Sequence, residues 1–224
     1  MKGLNIHFAL GWLLVVVTLG LIGFYIPGRD KVIGESYLIF FFHFPSAINC
    51  LNFFMFSGVL SLIYLIRRRP SVDHWAATAA EIGVLACTIT LVTGSIWAKA
   101  AWGHWWVMTD PRLMTVAIMW LTYLAYLALR GTIDEPVKRA RFCGVFGVLA
   151  CLNVPLVYFS IQWLGKLQHP MNVELAASSM VTTRWFGALA FFVLYTALWR
   201  MRVRVLEDSF EIHRLEAEFT KAGI

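Results

Sequence analysis

The sequence predicts an all-α polytopic membrane protein with six transmembrane helices. Of its 224 residues, 59% are hydrophobic and only 14% are charged, whereas a soluble domain usually carries about a quarter charged residues. The apolar residues form six blocks of about 20 residues, and about 20 residues at a rise of about 1.5 Å each cross a hydrocarbon core roughly 30 Å thick. These blocks nearly exhaust the chain, so a water-soluble globular fold is excluded.

The predicted spans are separated by short polar segments. They cover residues 8–26, 45–66, 76–97, 113–129, 142–163 and 184–199. The first block lacks a clear small-residue cleavage site, so we interpret it as a retained helix. Pro155 is expected to kink the fifth span. Asn49, Asn52 and Asn153 are expected to form interhelical hydrogen bonds, and Glu81 to snorkel or to bond to a neighbouring helix.

The distribution of basic residues predicts the orientation in the membrane. Thirteen of the 19 Lys and Arg residues fall on the side that holds both chain ends, and six fall on the other side. Cytoplasmic loops are enriched in Lys and Arg, so both termini are predicted to be cytoplasmic. Three loops then face outward, at residues 27–44, 98–112 and 164–183. The four cysteines all lie inside apolar blocks without a C-x-x-C pair, which favours a packing role.

The chain divides into a transmembrane region, residues 1–204, and a short tail, residues 205–224. Apolar residues recur in the tail at helical spacing with Glu and Arg between them, which predicts an amphipathic cytoplasmic helix. Two interpretations stay open for this helix. It either docks a partner or lies on the membrane surface.

Three of the six histidines, His43, His104 and His169, fall on the outward side. His43 precedes Pro45, which suits the first turn of the second helix and would place the imidazole at the outer rim of the membrane. His169 follows the fifth span. A single histidine at a helix end is usually a bystander, but two at matching depth can ligate a heme iron from opposite sides.

The outward loop between the third and fourth spans is rich in tryptophan. Trp97, Trp102, Trp105 and Trp106 are four of the ten tryptophans of the chain. One interpretation is an aromatic belt at the membrane interface. The density of indole rings next to Gly103 instead favours a flat, largely apolar aromatic ligand, which indoles cover by stacking.

A porphyrin also carries two propionates, and four outward cations are available to pair with them: Lys99, Arg112, Lys166 and Arg184. Arg112 is favoured because it shares a loop with the tryptophans. Each of these cations can alternatively anchor a helix end at the interface.

Taken together, these segments resemble the CcmC family of heme-handling proteins in bacterial cytochrome c maturation system I. The resemblance rests on W-G-x-W-W at 102–106 followed by D-P-R-L at 110–113, on H-x-P-S-A at 43–47, and on Q-H at 168–169. It covers essentially the whole chain. One departure lies in the tryptophan motif, which in the family usually runs W-G-x-W-W-x-W-D. Here Val107, Met108 and Thr109 precede Asp110, which adds one residue and replaces the last tryptophan.

The resemblance implies a site and a set of partners. It implies heme b with His43 and His169 as the axial iron ligands, in a site on the periplasmic side of the bacterial inner membrane. The further cofactor-binding residues it implies are Trp102, Gly103, Trp105, Trp106, Asp110 and Arg112. It also implies delivery of heme to the periplasmic chaperone CcmE, in a complex with the ABC-type subunits CcmA and CcmB and the small protein CcmD.

Two rival functions remain open at this stage. A cytochrome b-like electron-transfer subunit also uses paired histidines, although its histidines normally lie inside the spans. A heme transporter or permease subunit would need a broken or charged midplane site, for which Gly94 and Pro155 are the available candidates. The outward loops offer no evident nucleophile or acid–base pair, so whether the protein counts as an enzyme depends on whether heme attachment to the partner is assigned to it.

Overall fold

The structure is a computed structural model that describes residues 2–26, 34–164 and 177–222. Its helices are α1 (Lys2–Phe24), a 3₁₀ helix (Glu35–Ile39), α2 (Phe40–Arg67), α3 (Pro70–Trp102), α4 (Pro111–Gly131), α5 (Pro136–Cys151), α6 (Asn153–Leu164) and α7 (Ser178–Ala222). Six helical segments within these ranges are long and apolar enough to cross a membrane. The predicted all-α membrane fold is therefore confirmed, while its orientation in the membrane stays a prediction.

Proline and capping residues set several of the helix boundaries. Pro70, Pro111 and Pro136 each lie in the first turn of a helix, where the missing N–H group costs no hydrogen bond. The side chains of Asp110 and Glu135 accept hydrogen bonds from the first free N–H groups of α4 and α5. The start of α4 confirms the fourth predicted span to within two residues, whereas α3 begins six residues before the third predicted span.

The second span begins earlier than predicted. Helix α2 starts at Phe40, directly after the 3₁₀ helix, so His43 and Pro45 both lie inside α2. The prediction that Pro45 opens this helix was wrong. The apolar residues Phe40, Phe41 and Phe44 extend the helix in the amino-terminal direction, and the cost of one missing backbone hydrogen bond at Pro45 does not stop it.

The fifth span is two helices, because α5 ends at Cys151 and α6 begins at Asn153. Pro155 has no N–H group to donate to the carbonyl of Cys151, and its ring would crowd that carbonyl in a continuous helix. The predicted interruption at Pro155 is therefore confirmed. It allows α6 to pack along α4 while α5 packs on α2.

The centre of the bundle is the antiparallel pair α2 and α3. Phe54 of α2 stacks on Tyr123 of α4 with ring centroids 3.9 Å apart, and the Tyr123 hydroxyl donates a hydrogen bond of 2.9 Å to the Phe54 carbonyl. Helix α7 packs against α1, α2 and α3 on the other side. Two ends of the bundle follow from this topology. The tryptophan end carries residues 98–110, and the basic end carries residues 67–69 and both chain ends.

Polar contacts join the helices as the sequence predicts. The Asn49 side-chain amide donates to the Ala188 carbonyl of α7 at 3.0 Å, and the Asn153 amide lies 3.5 Å from the Thr122 hydroxyl of α4. At the basic end, Glu81 forms a two-pronged ion pair with Arg202 of α7. These contacts confirm interhelical bonds for Asn49, Asn153 and Glu81, and Asn52 stays a hypothesis.

Helix α7 continues without a break from the membrane-spanning segment into the tail. Phe210, Ile212, Leu215 and Phe219 are exposed along this extension, and Arg214 pairs with Glu211 and Glu218 on the same helix. The helix predicted for the tail is present up to Ala222. Docking and membrane-surface roles stay open for it.

Candidate functional site

A pocket of about 480 Å³ lies among the helix ends at the tryptophan end of the bundle. This volume falls within the range of small-molecule sites, roughly 300–1,000 Å³. Helices α2, α3, α4, α6 and α7 all contribute to its walls. The aromatic lining residues are Phe40, Phe44, Trp97, Trp106, Tyr158 and Trp185. The basic lining residues are His43, Arg112 and Arg184.

His43 projects from α2 towards α3, and its ring is oriented by α3. Its Nδ1 atom lies 3.2 Å from the Thr90 carbonyl oxygen and 3.3 Å from the Thr93 hydroxyl oxygen. The Thr93 hydroxyl donates its own proton to the Ile89 carbonyl at 2.7 Å. Both groups near Nδ1 are thus acceptors, which favours the tautomer with the proton on Nδ1 and the lone pair on Nε2. A histidine that ligates a metal characteristically has this arrangement.

Gly94 of α3 leaves room for the His43 ring against α3, because it has no side chain. A Cβ atom at Gly94 would lie 2.9 Å from Cε1 and 3.3 Å from Nδ1 of His43. Contacts between carbon atoms are normally about 3.5–4.0 Å. From the sequence, Gly94 is a candidate only for a midplane transport site, because its contact with His43 depends on the pairing of α2 with α3.

Arg112 and Arg184 place buried, unsatisfied donors at the pocket. The Arg112 Nη2 atom donates to the Tyr158 carbonyl at 3.0 Å. The Nε atoms of Arg112 and Arg184 are buried and make no hydrogen bond within the part of the chain that the structure describes. Buried donors of this kind are rare without a partner, and guanidinium groups match carboxylates closely. The pair therefore suits a ligand with carboxylate groups.

The Arg184 guanidinium lies over two aromatic rings of the pocket. Its central carbon is 5.3 Å from the Phe44 ring centroid and 5.1 Å from the Trp185 ring centroid. These cation–π contacts hold the guanidinium at the wall. The sequence favours Arg112 over Arg184 as a propionate partner, and the structure brings both to the same pocket.

The tryptophans of the loop take different positions. Trp106 lines the pocket, and so does Trp97, against whose ring Trp102 packs edge-on with centroids 5.3 Å apart. Trp105 is 58% exposed and lies outside the lining. The predicted stacking platform is thus divided between a pocket wall, formed by Trp97 and Trp106 with Trp102 behind it, and an exposed ring at Trp105.

Gly103 and Lys99 end helix α3. Gly103 has a positive φ of 76°, in the left-handed region that glycine adopts without strain. The Lys99 ammonium donates to the Gly103 carbonyl at 2.9 Å. This bond favours the helix-end role for Lys99 over a contact with a propionate.

Asp110 is 1% exposed and caps helix α4. Its Oδ1 atom accepts from the N–H groups of Arg112 at 3.0 Å and Leu113 at 3.2 Å. The carboxylate thereby fixes the start of the helix that carries Arg112 into the pocket. Asp110 itself is not among the lining residues, so a direct cofactor contact stays a prediction.

Of the remaining predicted residues, His104 is exposed in the loop. His169 and Lys166 lie outside the described residues. The helices that flank their segment, α6 and α7, both reach the pocket, through Tyr158 and Trp185. The pairing of His169 with His43 therefore stays a prediction.

The fold and the site together define a class: a multi-pass helical membrane protein with an aromatic pocket lined by histidine and arginine at one end of the bundle. Comparison with known proteins narrows this class. The profile of the family described as heme exporter protein C, CcmC, matches residues 2–222. The chain therefore belongs to the heme exporter protein C family.

Named relatives cover most of the chain. Heme exporter protein C of Escherichia coli K12 is 31% identical over 196 residues, which is 86% of this chain and 79% of that protein. Heme exporter protein C of Bradyrhizobium diazoefficiens is 30% identical over 185 residues, 82% of this chain and 70% of that protein. A putative cytochrome c biosynthesis ccmC-like mitochondrial protein of Marchantia polymorpha is 30% identical over 169 residues, 75% of this chain and 71% of that protein.

Proposed function

We propose that this protein binds heme b in the pocket around His43 and delivers it to the periplasmic chaperone CcmE during maturation of c-type cytochromes. The observation that carries the proposal is the composition of one pocket of about 480 Å³. It combines an oriented imidazole, two arginines whose buried Nε donors have no partner among the described residues, and walls of aromatic rings.

Each feature of the pocket matches one part of a heme molecule. The flat ring needs apolar surfaces, which Phe44, Trp97 and Trp106 provide. The propionates need fixed cations, for which Arg112 and Arg184 are available. The iron needs an axial nitrogen with a lone pair, which is Nε2 when Nδ1 of His43 donates to the Thr90 carbonyl.

The protein's own contribution is binding, orientation and shielding, while the bound heme supplies its iron chemistry. Thr90 holds the His43 ring in one tautomer and one orientation. Asp110 fixes the helix start that carries Arg112. The second axial ligand in this proposal is His169. The exposed ring of Trp105 is the part of the loop that contacts the chaperone.

The proposal also includes the setting of the protein. The tryptophan end faces the periplasm across the bacterial inner membrane, and the basic end faces the cytoplasm together with both termini. The excess of Lys and Arg at the basic end supports this orientation. CcmA, CcmB and CcmD are the proposed partners of the assembly. The amphipathic extension of α7 is one candidate surface for them, which deletion of residues 205–224 would test by co-purification.

The test is a heme absorbance spectrum of purified variants together with a chaperone-loading assay. His43→Ala and His169→Ala are expected to lose or weaken bound heme and to load CcmE poorly. His213→Ala, at an exposed histidine of the basic end, is the matched control for heme binding and should keep the wild-type heme spectrum. If His43→Ala and His169→Ala both keep the wild-type spectrum and load the chaperone normally, the axial assignment is wrong.

A further inference from the structure

The pocket has a side opening between α6 and α7. Helix α6 packs mainly along α4, and α7 packs mainly on α1 and α2. Within the described ranges, α6 and α7 share no extended packing with each other. Both helices nevertheless line the same pocket, α6 through Val157 and Tyr158 and α7 through Arg184 and Trp185. Among the residues that the structure describes, the wall between these two helices is therefore incomplete.

Tyr158 and Trp185 mark the two sides of this opening. Each of them lines the pocket, yet Tyr158 is 58% exposed and Trp185 is 54% exposed. Tyr158 lies six residues before the end of α6 and Trp185 seven residues after the start of α7. At a rise of about 1.5 Å per residue, both lie about 10 Å from the helix ends. The opening thus lies on the side of the bundle, below its end.

The surface of α7 at the opening is apolar. Val181 and Leu189, one turn before and one turn after Trp185 on the same face of α7, are exposed, so that apolar side chains lie both above and below the opening. An exposed apolar surface on a membrane-spanning helix faces acyl chains. The opening therefore connects the pocket with the hydrocarbon region rather than with water.

The polarity of the pocket changes along the path inward from this opening. The aromatic rings of Tyr158 and Trp185 come first. The Arg184 guanidinium lies 5.1 Å from the Trp185 ring, and Arg112 is bonded to the Tyr158 carbonyl. A flat amphiphile would slide its apolar ring between the aromatic side chains and bring its carboxylates to the two arginines without first leaving the membrane.

We infer that heme reaches the His43 pocket laterally from the lipid bilayer, through the opening between α6 and α7 flanked by Tyr158 and Trp185. This inference rests on the proposed function, because it takes heme as the ligand of the pocket. It adds the route by which the ligand arrives, and it makes the bilayer the immediate source.

The test closes the opening with a reversible cross-link. Tyr158→Cys and Trp185→Cys are combined in a chain whose four native cysteines are replaced by Ala. A short bis-methanethiosulfonate reagent joins them by forming one disulfide with each thiol and releasing methanesulfinate each time, and a reductant cleaves the link. Uptake is measured as the growth of heme absorbance after mixing with heme-loaded vesicles. We expect linking to slow uptake at least tenfold, cleavage to restore it, and heme bound before linking to stay bound.

A second linked pair provides the matched control. The Thr196 hydroxyl of α7 lies 3.3 Å from the His7 ring of α1, so His7→Cys with Thr196→Cys fixes α7 far from the opening. This link should leave the uptake rate unchanged. An unchanged rate in the linked Tyr158–Trp185 pair would overturn lateral access. A failure of wild-type protein to bind heme at all would instead overturn the proposed function.

A further variant covers the case in which the cysteine pair loses heme even before linking. Leu189→Trp adds an indole one turn below Trp185, outside the pocket lining, and should slow uptake from vesicles several-fold with the same final amount of bound heme. Leu121→Trp makes the same change at an exposed position of α4 and should have no effect. Equal uptake rates in the two variants would contradict the inference.

Discussion

Replacing Gly94 with alanine tests whether the exact position of His43 matters for heme binding. The added Cβ would lie 2.9 Å from Cε1 of the His43 ring, well inside the normal carbon–carbon contact of about 3.5–4.0 Å. Helices α2 and α3 form the most extensive helix pair of the described chain, so their backbones cannot separate cheaply. The imidazole is therefore expected to shift away from its hydrogen bonds to Thr90 and Thr93.

The size of the effect follows from the cost of overpacking, which is typically about 1–3 kcal/mol. If the displaced ring transmits this cost to axial ligation, heme affinity falls by roughly 5- to 150-fold, since about 1.4 kcal/mol corresponds to a factor of ten. The assay is a titration of purified protein with heme, followed by absorbance. A change in the spectrum of the bound heme should accompany the loss of affinity.

Gly20→Ala is the matched control for Gly94→Ala. Gly20 is also inside a helix, and a Cβ atom there meets no atom within 4 Å. Both substitutions gain helix propensity of roughly 1 kcal/mol, so a comparison of the two variants removes that contribution. If Gly94→Ala binds heme with the affinity and spectrum of Gly20→Ala, His43 does not act as the axial ligand from its position against α3.

Three further predictions follow from contacts in the structure. Asp110→Ala should lower the free energy of unfolding by about 1 kcal/mol through loss of the α4 cap. Asp110→Asn introduces an equally good capping residue, so its stability and its heme affinity should both equal those of wild type. Poor heme binding by Asp110→Asn in the same titration would instead indicate a direct role for the charge. Arg112→Gln and Arg184→Gln should each weaken heme binding roughly 10- to 150-fold, because a charge-assisted bond to a carboxylate contributes about 1.5–3 kcal/mol. Esterification of the heme propionates should abolish the difference from wild type. Asp73→Ala should lower stability by about 3–5 kcal/mol, because it leaves Arg130, bonded to Asp73 at 2.8 Å in a largely buried pair, without its counter-charge; a thermal melt in detergent within 1 kcal/mol of wild type would contradict this.

Hydropathy predicted the six spans, because a bilayer requires continuous apolar segments of a narrow range of lengths. Local chemistry predicted the kink at Pro155. The start of α2 was wrong by five residues, since proline is disfavoured inside helices and yet Pro45 lies inside one. The apolar residues before Pro45 determine where the helix begins, and the rule that proline opens a helix takes no account of them.

The candidate site was only partly predictable, for a related reason. Residue type and the resemblance pointed to His43, Trp106 and Arg112, and all three line one pocket. The roles of Gly94 and Arg184 arise from contacts between helices that are far apart in sequence. The residue pattern of a single span gives no information about contacts between helices. The division of neighbouring tryptophans into a pocket residue and an exposed one depends in the same way on the fold of the loop.

The central claim is that His43 ligates heme iron in this pocket, and chemical rescue of His43→Gly tests it most directly. This variant removes the imidazole but leaves the space for a free imidazole molecule next to Thr90. We predict that His43→Gly binds heme weakly with an altered spectrum, and that added imidazole restores the wild-type spectrum in a saturable manner. A wild-type spectrum without imidazole, or no change when imidazole is added, would contradict the account.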